Sequence, residues 1–240
     1  MGPEAPRLSA VLVAGLQRRR AQRVLDALAL QTVAGSIEVI VVDLGDDRLP
    51  RLSVAPALKH VYAKRPAIKR WGAARAEGVR LASADVIGFI EDHCFPDPDW
   101  AERLIEAYRD SWAAVGYAFT NANPRTFVSR ASLLARYGRF VHPTHPGPAP
   151  LVSGNNVSYR RALLLSFGAE LDGLLTIDFN LQEVLSKRGL RMVTVSELLA
   201  AGKPVIADKC YLDKPGAGPR LARTHRQKSN DVFSFFGRQN

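Results

Sequence analysis

Cysteine is scarce in this chain. The two present, Cys94 and Cys210, are too few for a disulfide framework, and no CxxC pair suggests a metal finger or a dithiol redox centre. Long apolar runs are also missing. No stretch approaches the roughly 18 uninterrupted apolar residues of a membrane-spanning helix, and the opening MGPEAPR lacks the apolar core of a secretion signal. These absences lead to the expectation of a reducing, cytoplasmic setting. No internal repeat and no long low-complexity segment is present. Acidic residues are in deficit, 23 against 33 Lys and Arg, for a formal net charge of +10. That balance favours anionic partners such as nucleotides, nucleic acid or an acidic membrane surface. The basic residues are scattered and spell no recognition motif, so nucleic acid is not expected.

What the chain does have is a hydrophobic share of 47% over 240 residues, enough to bury the core of one large domain. Leu8 to Ala14 predicts a first strand ended by Gly15. Arg18 to Leu30 predicts an amphipathic helix, and Ile37 to Asp43 a second strand, which together make a βαβ unit. The helix opens on Arg18-Arg19-Arg20, although cations sit poorly at a helix N-terminus. That is either a solvated face or a basic rim on an anion site. A third strand is predicted over Leu58 to Ala63. The helix predicted over Ile68 to Ala84 is basic at one end through Lys69, Arg70 and Arg75. Its interior Gly72 and Gly78 cost about 1 kcal/mol each against alanine, which close approach of a strand or ligand would offset.

Val86 to Ile90 then reads as a buried strand that breaks into Glu91-Asp92-His93. Its C-terminal end, like that of the strand closed by Asp43, is where open α/β sheets bind ligands. Two carboxylates and an imidazole in sequence can hold a divalent cation, which can hold phosphates; the alternative is a polar turn. Downstream, the pattern predicts a helix over Asp97 to Asp110, with Asp97 as N-cap and Pro98 at its first position. It also predicts a strand over Ala113 to Thr120 and a helical piece over Ser129 to Tyr137. A Pro- and His-rich loop follows; its prolines argue against a helix that would pair His142 with His145 as metal ligands, and a mobile substrate loop is the expectation there. Leu151 to Tyr159 reads as a Gly-Asn turn entering a strand, Arg160 to Phe167 as a helix, Thr176 to Arg188 as a helix capped by Thr176 or Asp178, and Leu190 to Val195 as a last strand.

Four stretches resemble the family-two glycosyltransferases in the same order and spacing. They are LSAVLVAGLQRRRAQRVLDALALQTVAGSIEVIVVD, GAARAEGVRLASADVIGFIEDHCFPDPDW, GNNVSYRR and IDFNLQEVLSKRG, spread over Leu8 to Val195. The resemblance implies a GT-A fold: a Rossmann-like, mainly parallel central sheet with helices on both faces. It implies a transferase domain over residues 1–200 and leaves 201–240 as a basic C-terminal extension. The implied reaction moves a sugar from a nucleotide-diphosphate donor to a hydroxyl acceptor, saccharide or lipid-linked, with inversion. Asp178 takes the place of the general base. Ala14, Gly15, Asp43, Lys69, Arg75, Glu91 and Asp92 fall at nucleotide-binding positions. Gly154, Asn155 and Asn156 fall at sugar or acceptor positions, and His93 with Asp92 at the metal position.

The departures are specific. The second strand ends in Asp43-Leu44 where the family commonly has two acids. The metal motif reads Glu91-Asp92-His93, the catalytic pair Ile177-Asp178, and Ala76 replaces an asparagine. His225 is a distant match for a histidine after the last core strand. An imidazole ligand favours Mn²⁺ over Mg²⁺, which prefers hard oxygens. Two rival readings stand beside transfer. A degenerate, non-catalytic nucleotide-sugar binder would explain the substituted motifs; a nucleotidyltransferase lacks its Gly-rich phosphate loop here. In the extension, Lys214, Arg220, Arg223, Arg226 and Lys228 precede Phe233, Phe235 and Phe236, a pattern for peripheral contact with an anionic membrane or for packing on the domain.

Overall fold

The computed structural model describes residues 5–144, 147–154, 156–177, 179–194 and 206–208. Seven-residue strands β1 (Leu8–Ala14) and β2 (Ile37–Asp43) are buried along their whole length. They pair in parallel, with β3 (Lys59–Lys64) on the far side of β2 and β4 (Val86–Ile90) on the far side of β1. Strands covered on both faces read as continuous apolar runs rather than alternating ones. The period of two still sorts their side chains. Leu8, Ala10, Leu12, Val39 and Val41 join a core with Val24, Leu25 and Leu28 of α1 (Arg18–Ala29) and with Trp100 and Leu104 of α3 (Trp100–Ala107). Val11, Val13, Ile40, Val42, Ile87 and Phe89 face the other way, onto Ala74, Ala76 and Val79 of α2 (Trp71–Leu81). That second core also takes in Leu164 of α5 (Arg161–Leu165), Leu171 of α6 (Leu171–Leu174), and Leu181 and Leu185 of α7 (Asn180–Lys187).

The glycines of α2 are explained by close approach. A Cβ on Gly78 would lie 2.4 Å from a Val11 methyl of β1, and one on Gly72 would lie 2.2 Å from the Asp172 carbonyl of α6. The helix itself runs Trp71–Leu81, shorter than the predicted Ile68 to Ala84.

Beyond β4 the sheet becomes mixed. Here β9 (Val157–Arg160) lies antiparallel between β4 and β6 (Ala114–Gly116). The strand β10 (Met192–Thr194) is parallel to β6, and β8 (Gly147–Pro148) is antiparallel at the edge. The full order is β3-β2-β1-β4-β9-β6-β10-β8. A second, three-stranded sheet joins β5 (Cys94–Pro96), β11 (Ile206–Asp208) and β7 (Phe119–Asn121).

Three further expectations change. The strand read over Ala113 to Thr120 is two strands in different sheets, because the chain turns out of the main sheet after Gly116, where a Cβ would strike Val152. The helix read from Asp97 begins at Trp100, and neither Asp97 nor Pro98 opens it. Gln31 instead reaches across from the end of α1. Its Oε1 accepts from the Ala101 N–H at 2.9 Å and its Nε2 donates to the Asp97 carbonyl at 2.8 Å, so a remote side chain satisfies a first-turn donor. The helix read from Thr176 begins at Asn180. Thr176 donates its hydroxyl to the Asp172 carbonyl at 2.7 Å instead of capping α7. The short α4 (Phe127–Tyr137) brings Tyr137 back toward the end of β4.

Candidate active site

The connections from β1 lead outward through β2 to β3, and the chain then returns to β4 on the other side of β1. The crevice between the C-terminal ends of β1 and β4 is therefore the topological switch point, the usual ligand position in such sheets. Ala14 and Gly15 lie on one side of it and Glu91-Asp92-His93 on the other. Next door are the ends of β2 and β3. There a cleft of about 200 Å³ is lined by Asp43, Leu49, Arg51, Tyr62 and Lys64.

Asp43, only 3% exposed, is the centre of a closed polar knot. Arg18 turns inward and grips it with two bonds, Nη1 to Oδ1 at 2.7 Å and Nη2 to Oδ2 at 2.9 Å. The Gly45 N–H donates to Oδ1 at 2.9 Å, and the Tyr62 hydroxyl donates to Oδ2. Arg18 also donates Nε to the Pro50 carbonyl at 2.9 Å. Burial opposes the charge on Asp43, but the bonds from Arg18, Tyr62 and Gly45 and the Arg18 charge outweigh it, so its pKa lies below the ordinary value. A carboxylate has about four lone-pair sites, and donors already meet all of those on Asp43. The basic opening of α1 is thus not wholly a solvated face: its first arginine is a buried ion-pair partner.

At the end of β4, Asn156 fastens Glu91 twice. Its Oδ1 accepts the Glu91 N–H at 2.9 Å and its Nδ2 donates to Oε2 at 3.2 Å; the Tyr137 hydroxyl adds a longer contact to Oε2 at 3.4 Å. Asn156 is fully buried, whereas the Glu91 side chain is 22% exposed. The His93 ring, 5% exposed, lies between carboxylates, with Nδ1 at 3.2 Å from Asp92 Oδ1 and Nε2 at 3.4 Å from Glu91 Oε2. Ligand atoms of Glu91, His93 and buried Cys94 all fall within 4.8 Å of one another. Cys94 was not singled out from sequence, although it directly follows the motif.

The remaining predicted residues separate. Lys69 is exposed, its Nζ on the Pro66 carbonyl at 2.8 Å. Arg75 is half-buried; it packs over the Phe89 ring at 5.9 Å and donates to the Leu175 carbonyl at 3.3 Å, three residues before Asp178. Gly154 is half-buried at the entry to β9. Asn155, Asp178, His145, Cys210, His225 and the extension from Lys214 to Asn240 lie outside the described residues.

Residues 17–166 match the family model described as glycosyl transferase family 2. The chain belongs to that family. No curated protein sequence matches it. Among solved structures, this family 2 chain resembles residues 1–349 of TarS from S. aureus, with a TM-score of 0.58, 15% identity, and 85% of this chain against 60% of that one. It also resembles the mannosyltransferase PcManGT from Pyrobaculum calidifontis, solved with GDP-Man and Mn²⁺, with a TM-score of 0.58, 16% identity, and 89% against 59%. A TarS structure with UDP-GlcNAc matches at 0.55 and 14% identity, over 87% and 60%. These likenesses carry the GT-A fold. The chain spans about 60% of the length of the structures it matches.

For a family 2 fold that uses a divalent cation, the residues at this turn fit one. Glu91 offers oxygen at the cleft, His93 offers nitrogen, and Asp92 backs the imidazole as carboxylates commonly back metal-bound histidines. The donor set is softer than a pair of carboxylates.

Proposed function

We propose that this chain transfers a sugar from a nucleotide-diphosphate sugar to a hydroxyl acceptor, with inversion. The observation that carries the reading is the placement of Glu91-Asp92-His93 opposite Ala14 and Gly15, across the switch-point crevice of a family 2 fold. In this reading the diphosphate lies along that crevice, with Glu91 and Asp92 beside it and Lys69 and Arg75 adding positive charge. The nucleoside enters the cleft beside Asp43. With its carboxylate engaged by four donors, Asp43 acts by holding Arg18, Tyr62 and the 44–50 loop in place. Direct contact with the base falls to the exposed Arg51 and to Lys64 and Leu49. Gly154 and Asn155 border the sugar or acceptor. Asn156 serves the same pocket indirectly, by fixing Glu91.

Asp178 is the proposed general base. It takes the acceptor hydroxyl proton while the acceptor oxygen forms a bond to the anomeric carbon. The bond from that carbon to the diphosphate oxygen breaks on the opposite face, and the nucleoside diphosphate leaves. Base catalysis of this kind contributes about 10²–10⁴-fold. A divalent cation bound at His93 and its neighbours would offset the negative charge gathering on the leaving diphosphate, with Mn²⁺ favoured over Mg²⁺. Arg75 supports the position of the base by holding the turn that leads to residue 178.

The test is a thermal-shift screen of nucleotide sugars with and without Mn²⁺, followed by turnover assays. A donor at 100 times its dissociation constant stabilises by about 2.7 kcal/mol. Asp178→Asn should keep that stabilisation and lose transfer. Donor binding with no turnover against any acceptor would favour the non-catalytic binder, a reading supported by the substitution of His93 into the metal motif. Among the described residues no helix is long and apolar enough to cross a membrane. We assign residues 1–200 to the transferase domain of a cytoplasmic protein, and the basic 201–240 extension to an anionic membrane or lipid-linked acceptor. Vesicle co-sedimentation unchanged by deleting the extension would rule that assignment out.

A further inference from the structure

We propose that the outer side of α4 docks the protein on an anionic lipid bilayer, with apolar side chains entering the headgroup layer and arginines meeting the lipid phosphates. The surface is distinct from the crevice and from the 201–240 extension, and its test needs no sugar donor.

The argument begins with a helix that is apolar on two opposite sides. Ser129, Leu133 and Tyr137, four positions apart, form the buried side of α4. Leu133 and Tyr137 join the core shared with α1 and α3, and Ser129 Oγ donates to Asn121 Oδ1 at 3.1 Å. That side anchors the helix. Phe127, Ala131, Leu134 and Ala135 fall at i, i+4, i+7 and i+8, the spacing of one helix stripe, and all are exposed. Phe127 is 83% exposed and Leu134 60%, with Val128 beside them at 50%. A surface helix ordinarily turns polar residues to water. Here the side facing away from the core gathers a phenylalanine, a leucine and a valine, which marks an interaction surface.

Charge identifies the occupant. No aspartate or glutamate occurs between Asp110 and Glu170. Arg125, Arg130, Arg136 and Arg139 are all exposed, in the helix or beside it. At 3.6 residues per turn, Arg130 and Arg136 fall on opposite flanks of the apolar stripe. A second copy would set like charges against each other, and the extension from Lys214 to Lys228 is basic too. An anionic bilayer meets both halves of the pattern. Apolar side chains enter the boundary of headgroups and acyl chains, while long basic side chains reach the phosphates from the rim. A bilayer also receives a convex helix without the preformed groove that an acidic protein partner would need.

The position of α4 gives the contact a consequence. On its inner side the Tyr137 hydroxyl lies 3.4 Å from Glu91 Oε2 at the crevice. Docking through the outer side sets the crevice about 10–12 Å, one helix diameter, from the headgroups. On the transfer reading, that distance suits an acceptor held at a membrane surface.

The experiment is co-sedimentation of the full chain, without nucleotide, with vesicles of phosphatidylglycerol and phosphatidylcholine, against phosphatidylcholine alone. The expected result is binding to the anionic vesicles that salt weakens. Phe127→Ser with Leu134→Ser should weaken it by about tenfold or more, at an unchanged melting temperature because both side chains are exposed. Arg125→Gln with Arg130→Gln should weaken it by about 10–30-fold. Phe127→Trp reads insertion directly: its added fluorescence should be quenched by brominated acyl chains. Anionic-vesicle binding that the α4 variants leave unchanged assigns the contact to the extension and overturns the proposal. So does an absence of vesicle binding, an unquenched Phe127→Trp, or a wild-type dimer that ignores vesicles and is dispersed by Phe127→Ser with Leu134→Ser. Sugar transfer without vesicle binding sinks the docking surface alone, and vesicle binding through α4 in a protein that transfers nothing upholds it while the transfer reading fails.

Discussion

Asp43→Asn separates two roles for a carboxylate at the end of the second strand. The substitution keeps volume and removes charge. If Asp43 is the centre of the knot with Arg18, its loss leaves a guanidinium, 10% exposed, facing an amide that cannot accept all four donors. Breaking a buried pair by removing one partner costs about 3–5 kcal/mol. For a domain of this size each kcal/mol moves the melting temperature by about 2–4 °C, so a fall of about 6–20 °C is expected. The acid limb supplies a second readout. Because the folded-state pKa of Asp43 is depressed, its contribution is complete above the unfolded value, about 3.9, and is lost as pH falls through the folded value. The stability gap between wild type and Asp43→Asn should therefore be constant near neutrality and narrow below about pH 4. Differential scanning fluorimetry from neutral to acid pH, with nucleotide binding followed in parallel, makes the measurement. An unchanged melting temperature with lost nucleotide affinity would refute the reasoning and make Asp43 a direct reader of the base.

Gly72→Ala should destabilise by about 1–3 kcal/mol, because its methyl would sit 2.2 Å from the Asp172 carbonyl and 2.3 Å from Thr176 Oγ1; chemical denaturation reads the loss, and equal stability would mean that α2 and α6 slide apart freely. Gln31→Ala should cost about 1–3 kcal/mol by orphaning the Ala101 N–H at the start of α3, with Gln31→Glu recovering part of it because a carboxylate still accepts. Equal losses in the two variants would show that the cap bond contributes little.

In the parallel half of the fold, β1, β2 and β4 were legible because they are short apolar runs buried on both faces, and a helix with its own period precedes both β2 and β4. Leu8 to Ala14 and Ile37 to Asp43 were read to the residue. The half beyond β4 was less legible for a physical reason. Its strands are two to four residues long, and partners come from distant parts of the chain, as when β9 slots between β4 and β6. A run such as Ala113 to Thr120 has no punctuation strong enough to announce that Gly116 ends one sheet and Phe119 begins another. The same limit explains α3. A local reading looks for a cap beside the helix, and the side chain that meets its first turn comes from Gln31, 70 positions away from Ala101.

For the candidate site, residue types were legible and pairings were not. An aspartate ending a buried strand beside a nucleotide crevice invites the reading that it meets the base. Nothing local says that Arg18, 25 positions earlier, and Tyr62, 19 positions later, converge on its two oxygens. Asn156, likewise, looks like a turn residue or a pocket residue until its partner 65 positions away is known. The two cases share a cause: a buried polar group must find partners wherever the fold supplies them, and those partners decide whether it remains available to a ligand. Glu91 differs. It too is held, but its carboxylate keeps an exposed flank on the crevice. A group there stays open to a ligand, whereas the oxygens of Asp43 are already met by donors and Asn156 is buried, so substitutions at Asp43 and Asn156 should act first on folding and those at Glu91 first on what the crevice binds.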